Sequence, residues 1–286
     1  MKKNLKRIFS VLLALVLVVG VVACSTDDNA DADTGNTTDA SAELEELKVG
    51  VAFFPMGEIL ELIQDDMAEE GYEIVIEEFT EYQTPNNLML NNELDANMIQ
   101  HQYFLEQFNE ANDSDLVIAT PIYHATFALY SQDYTSLDEI PDGALITVPD
   151  DATNLSRAIY LLEQAGLITI AEGKTVGLTL DDIVENPKNL DLTDQVPLTS
   201  LAQRYEETGL GIMYPTYARS LELEGDEQRL YVEEQDEVTE GYAISLASRA
   251  DNVDSEAIQT LIDNLYTDEV RQFLIDEYSW AATPAF

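Results

Sequence analysis

The chain has 286 residues, enough for one large or two medium domains with real cores. Thirteen Lys and Arg stand against 56 Asp and Glu, a formal net charge of -43. That balance excludes generic nucleic-acid binding, which needs clustered cations to displace counterions, and it opposes adsorption on anionic lipid. Apolar residues make up 45% of the chain, so most of it is expected to fold beneath an acidic surface suited to high salt or high pH.

Residues 1–24 read as a targeting segment. Lys2, Lys3, Lys6 and Arg7 form a positive start, and residues 8–23 are almost continuously apolar. The ending Val21-Val22-Ala23-Cys24 resembles a lipobox, which implies a lipoprotein signal peptide over residues 1–23, cleavage before Cys24 and a diacylglycerol on its sulfur. Cys24 is the only cysteine, so no internal disulfide is possible. Residues 24–46 then read as the lipidated Cys followed by an acidic, disordered tether without a cation or an aromatic ring. As a coil it would reach roughly 25 Å, holding the folded part outside the cytoplasm and close to the membrane.

From Leu47 onward strands and helices alternate, the signature of an α/β fold. Strands are predicted over residues 47–54, 73–79, 96–99, 116–122, 127–131, 144–148, 210–214 and 242–247. Helices are predicted over 58–67, 85–90, 103–112, about 153–162 and 198–206, with two more within 255–280. Residues 181–191 read as a loop.

Residues 144–162 (ALITVPDDATNLSRAIYLL) form the anchor of the functional reading. They read as strand, turn and helix, with Thr153 or Asn154 as the cap and Leu155, Ala158, Ile159 and Leu162 on the buried face. Arg157 falls near the helix start, off that face, and is the only cation between Lys48 and Lys174. A guanidinium beside the free N–H groups of a helix start makes a socket for a carboxylate or phosphate. The bland alternative is an ordinary Arg paired with a nearby acid. Phe53, Phe54, Tyr82, His101, Tyr123, His124 and Tyr214 cluster at predicted strand ends, where open α/β sheets bind ligands. Enzymatic signatures are missing: there is no G-x-S-x-G elbow, no glycine-rich phosphate loop, no Ca²⁺ loop and no metal-ligand spacing around His101 or His124. No catalysis, cofactor or metal is therefore expected.

Six stretches then point one way: PMGEILE (55–61), EFTEYQTPN (78–86), LDANMIQH (94–101), VPDDATNLSRAIYLL (148–162), DIVENPKNL (182–190) and YTDEVRQF (266–273). Together they resemble the NlpA-type lipoproteins, the methionine-binding components of ABC importers. The resemblance implies a two-lobed, periplasmic-binding-protein-like (type II) α/β fold. Residues 47–130 and 240–286 would form lobe 1 and residues 131–239 lobe 2, with a ligand cleft between them. It implies that Arg157 binds a ligand carboxylate and that Tyr82 and His101 line a side-chain pocket, with Phe104, Asn154 and Tyr214 nearby. A small amino-acid-like solute, an ABC permease with its ATPase, and a monomeric receptor tethered only by its lipid are the implied partners and state. The chain departs from the family where Tyr214 and Ile244 replace two asparagines that help hold the methionine zwitterion. An alternative reading is therefore a surface lipoprotein of the same fold, an adhesin or sensor, that no longer transports.

Overall fold

A computed structural model describes residues 44–226 and 228–286. The expected signal segment, Cys24 and nearly all of the expected tether lie outside the described residues. The alternating pattern builds two principal sheets. The larger has six strands in the order Ala282–Pro284, Val117–Ala125, Ile244–Ser248, Ala96–Gln100, Glu45–Val51 and Tyr72–Glu78. Glu45–Val51 runs parallel to both neighbours, each reached through a helical crossover, and the remaining ladders are antiparallel. Glu45 and Glu46, assigned to the tether from sequence, are the first rungs of this sheet. Their side chains are exposed, so their charges cost the strand little.

Helices cover the large sheet. The helix predicted over 58–67 is two, Met56–Leu62 and Gln64–Glu69, broken at Ile63. Glu256–Leu265 and Asp268–Tyr278 close the fold. Ser255 and Thr267 start them, each accepting from a backbone N–H three residues on. Ile258, Leu261, Leu265, Val270 and Leu274 carry the spacing of a helix buried on one side, and all are fully buried.

The smaller sheet is antiparallel, ordered Leu210–Met213, Ala128–Ser131, Arg229–Val232. Ala128–Tyr130, assigned to lobe 1 from sequence, therefore pair in the second sheet. The chain changes sheets at Thr126-Phe127, where the strands expected over 116–122 and 127–131 separate. It returns through residues 233–243. The strand expected over 144–148 is reduced to single bridges at Leu145 and Thr147 and a two-residue ladder, Val148–Pro149 with Gln195–Val196. The helix Pro215–Arg219 and the strands Arg229–Val232 and Ala282–Pro284 were not foreseen. A continuous core joins both sheets. No helix among the described residues is long and apolar enough to cross a membrane.

Candidate functional site

The anchor helix spans Ala152–Gln164. Its cap is Asp151, one residue before the helix, in place of the expected Thr153 or Asn154. Asp151 Oδ1 accepts from the Asn154 backbone N–H at 2.9 Å, and both carboxylate oxygens also hold the Asn154 amide. Two faces of this helix are buried. Ala158, Ile159, Leu161 and Leu162 face the core. A second stripe, Arg157, Tyr160 and Gln164, meets the returning crossing: Tyr160 donates to Asp236 at 2.7 Å, and Gln164 exchanges two 3.0 Å bonds with the Glu234 backbone.

Arg157 belongs to that stripe, which corrects its expected place off the buried face: it is 1% exposed. Its fork is taken by Glu233, with Nε to Oε1 at 2.8 Å and Nη2 to Oε2 at 2.5 Å. Nη2 also reaches the Ala125 carbonyl at 3.2 Å, and Nη1 reaches the Tyr214 hydroxyl at 2.9 Å. The guanidinium carbon lies 4.7 to 5.2 Å from the ring centres of Phe127, Tyr214 and Tyr242. Burial opposes its charge, but Glu233 and Tyr214 outweigh that, and its pKa is raised. Arg157 thus joins both crossings between the sheets, through Ala125 on one and Glu233 on the other. The ordinary reading of a paired arginine describes its bonds better than an open socket does.

Beside it lies a cavity that is partly open to solvent. Phe53, Phe54, Pro55 and Met56 come from the first strand end and its turn. Tyr82 precedes the helix Gln83–Leu90. Gln100 and His101 end one strand, and Phe104 follows on the next helix. Across the cleft stand Asn154 and Tyr214, and Tyr123, Ile244 and Leu198 complete much of the wall. Five of the six residues expected at the ligand site therefore share one cavity: Tyr82, His101, Phe104, Asn154 and Tyr214. Arg157 stands behind it, separated by Tyr214, whose hydroxyl donates to Asn154 Oδ1 at 2.5 Å while accepting from Arg157. Tyr82 pairs with the Tyr217 hydroxyl at 2.8 Å and stacks obliquely between Phe53 and Phe104.

The amides of LDANMIQH, joined by Asn86 from EFTEYQTPN, are structural. Asn86, Asn97 and Gln100 bond one another in a closed, buried cluster at 2.6 to 3.0 Å, which fixes the strand end that presents His101. His101 caps the helix Gln102–Asn112: its Nδ1 accepts from the Phe104 N–H at 3.2 Å. In the neutral ring the proton is then on Nε2, which is buried and makes no hydrogen bond. Burial, then the Arg157 charge, lower its pKa to about 3, so the ring is neutral at any physiological pH. Burial likewise pushes the Tyr214 hydroxyl up to about 12.

The sequence profile of the NlpA lipoproteins matches residues 47–286. The chain belongs to the NlpA lipoprotein family. It is 33% identical over 271 residues to a Haemophilus influenzae protein named "Probable D-methionine-binding lipoprotein MetQ", covering 94% of each chain. The crystal structure of a Ruminococcus gnavus lipoprotein superposes with a TM-score of 0.79 at 33% identity, covering 84% of this chain and 99% of that one. A Burkholderia cenocepacia nutrient-binding protein, solved bound to methionine, superposes at 0.77 with 27% identity, covering 84% and 100%. The fold is thus the two-lobed one of these binding proteins.

Within this NlpA-family fold, the aromatics read at strand ends largely converge. Phe53, Phe54, Tyr82, Tyr123 and Tyr214 all line the cavity, whereas His124 lines a separate depression with Glu233. Sequence reasoning missed Glu233 and Tyr217. Glu233 is one of 56 acids, and nothing local sets it apart. Tyr217 follows Pro215 on a five-residue helix too short to show periodicity. The ENPKN motif serves the fold: Lys188 donates to the carbonyls of Leu137, Asp138 and Ile140, and Asn186 turns the chain onto Leu190.

Proposed function

We propose that this chain is the solute-binding component of an ABC importer, anchored outside the cell membrane through lipidated Cys24. The reading is carried by one observation: an aromatic cavity whose walls come from both sheets, in a family whose relatives are named for methionine binding. Residues 47–127 with 244–286 act as one lobe and residues 128–232 as the other, and closure of the cleft traps a solute of about methionine's size. Tyr82, His101, Phe104, Asn154 and Tyr214 surround the guest. Arg157 pins the two crossings about which the lobes turn. The closed form then docks, as a monomer, on a membrane permease driven by its ATPase.

Native mass spectrometry of the lipoprotein, carried gently through purification, tests this. A bound small molecule is expected in wild type and should be absent from Ile244→Trp, which fills the cavity. Wild-type protein that retains nothing, and that no amino acid, carboxylate or uncharged solute stabilises, would rule the reading out.

A further inference from the structure

No Asp, Glu, Lys or Arg among the described residues lines the cavity. The nearest cation is Arg157, and every group around it is committed. Glu233 holds Nε and Nη2 in a bidentate pair, and Nη1 faces the Tyr214 hydroxyl. That hydroxyl is fixed from its other side by Asn154, whose own amide is anchored on Asp151. Arg219 lies 4.6 Å from the centre of the Phe54 ring, but it pairs with Glu224 at 3.0 Å and does not line the cavity. A zwitterion entering this space would meet aromatic faces, aliphatic side chains and the neutral dipoles of His101, Asn154, Gln100 and Thr216. Its carboxylate would lose water without gaining a counter-charge, and so would its ammonium group.

We propose that the Tyr214 hydroxyl, wedged between Arg157 and Asn154, holds the position a ligand carboxylate would take against the guanidinium, so that the cavity selects an uncharged solute with an apolar body. The inference rests on the solute-binding reading above and names its substrate class. The polar end of the guest accepts from the Nε2–H of His101, a buried side-chain donor on the cavity wall that has Asn154 beside it but makes no well-formed hydrogen bond. Its body lies among Phe53, Tyr82, Phe104 and Tyr123. Ile244 supplies another apolar wall.

Four methylthioalkyl probes separate the charges. They are L-methionine, 3-methylthiopropionate, 3-methylthiopropylamine and 3-methylthiopropan-1-ol. Calorimetric titration of the whole lipoprotein in detergent at pH 7 reads each. The alcohol is expected to bind about tenfold or more tightly than any charged probe. In Tyr214→Asn, and in Tyr214→Phe where the ring stays to support the fold, Nη1 is uncovered, and 3-methylthiopropionate should gain on the alcohol by a similar factor. If wild type takes methionine or the propionate as tightly as the alcohol, the inference is overturned while solute binding stands. If no probe binds, the inference is overturned, while solute binding itself is decided by what native mass spectrometry finds on the wild-type protein.

Discussion

Two neighbouring regions of this molecule treat charge in opposite ways. Around Arg157 a full ion pair is buried, and its partners come from the helix Ala152–Gln164, both inter-sheet crossings and three aromatic rings. On the far side of one tyrosine the cavity holds no ionised side chain, and its histidine is kept neutral. The difference teaches that a lone cation in an acidic chain is not by itself a ligand group. A guanidinium buried at 1% exposure needs internal compensation to fold at all. Once compensated, it is a structural pin, and Tyr214 stands between it and the cavity.

The largest effect should follow from breaking the pin. Glu233→Ala leaves the Arg157 guanidinium buried with only Tyr214 and Ala125 as partners, and should cost about 3–5 kcal/mol of unfolding free energy. Replacing both ends together, Arg157→Met with Glu233→Leu, should recover most of that loss, because two apolar side chains need no counter-charge. Urea midpoints of the three forms read this directly. A single-variant loss below about 1 kcal/mol would mean that water reaches the guanidinium and that the pair is an ordinary surface bridge.

The next effect lies on the cavity side. Asn86 is fully buried and bonds Gln100 and Asn97 at once, so Asn86→Ala strands two amides in an apolar setting. A loss of about 2–3 kcal/mol is expected. Because Gln100 immediately precedes His101, solute affinity should fall with it. Unchanged stability would show that the amide cluster is replaceable by solvent.

His101 gives the third test. Its folded pKa of about 3 lies below the ordinary 6.5, so below pH 6.5 the unfolded chain takes up a proton that the native ring refuses. The stability this neutral ring allows is therefore complete above pH 6.5 and is lost as the pH falls from 6.5 toward 3, by about 2 kcal/mol at pH 5. His101→Gln should flatten the pH profile by that amount relative to wild type. The comparison cancels the many carboxylates common to both chains. Parallel profiles would place water beside the ring.

Much of this architecture was legible in the chain. The parallel strands from Leu47, the two closing helices and the aromatic strand ends follow from local periodicity, which burial on one face imposes. The cavity residues Tyr82, His101, Phe104, Asn154 and Tyr214 were within reach because each sits in a strand-end turn or the first turns of a helix, where motif and geometry coincide. What stayed hidden was long-range. The Arg157–Glu233 pair spans 76 residues, and the second buried stripe of the anchor helix appears only when residues 233–236 return across it. The break at Thr126-Phe127 was legible as the gap between two expected strands, but not as a change of sheet.

The smallest effect probes the joint between the two regions. Asp151 starts the anchor helix and also fixes the Asn154 amide that steadies the Tyr214 hydroxyl. Burial raises its pKa, with the bonds from Asn154 and Thr153 pulling the other way, so its ionised form is held at some cost. Asp151→Asn keeps a capping oxygen and removes the buried charge, so its stability at pH 7 should stay within about 0.5 kcal/mol of wild type. Asp151→Ala removes the cap and should lose about 1 kcal/mol. Only the alanine variant also frees Asn154, and with it one of the two bonds that hold Tyr214 against Arg157. Its preference for the uncharged probe should therefore weaken, while the asparagine variant keeps it. Equal selectivity in the two variants would mean that Arg157 alone positions the tyrosine and that the cap plays no part in recognition.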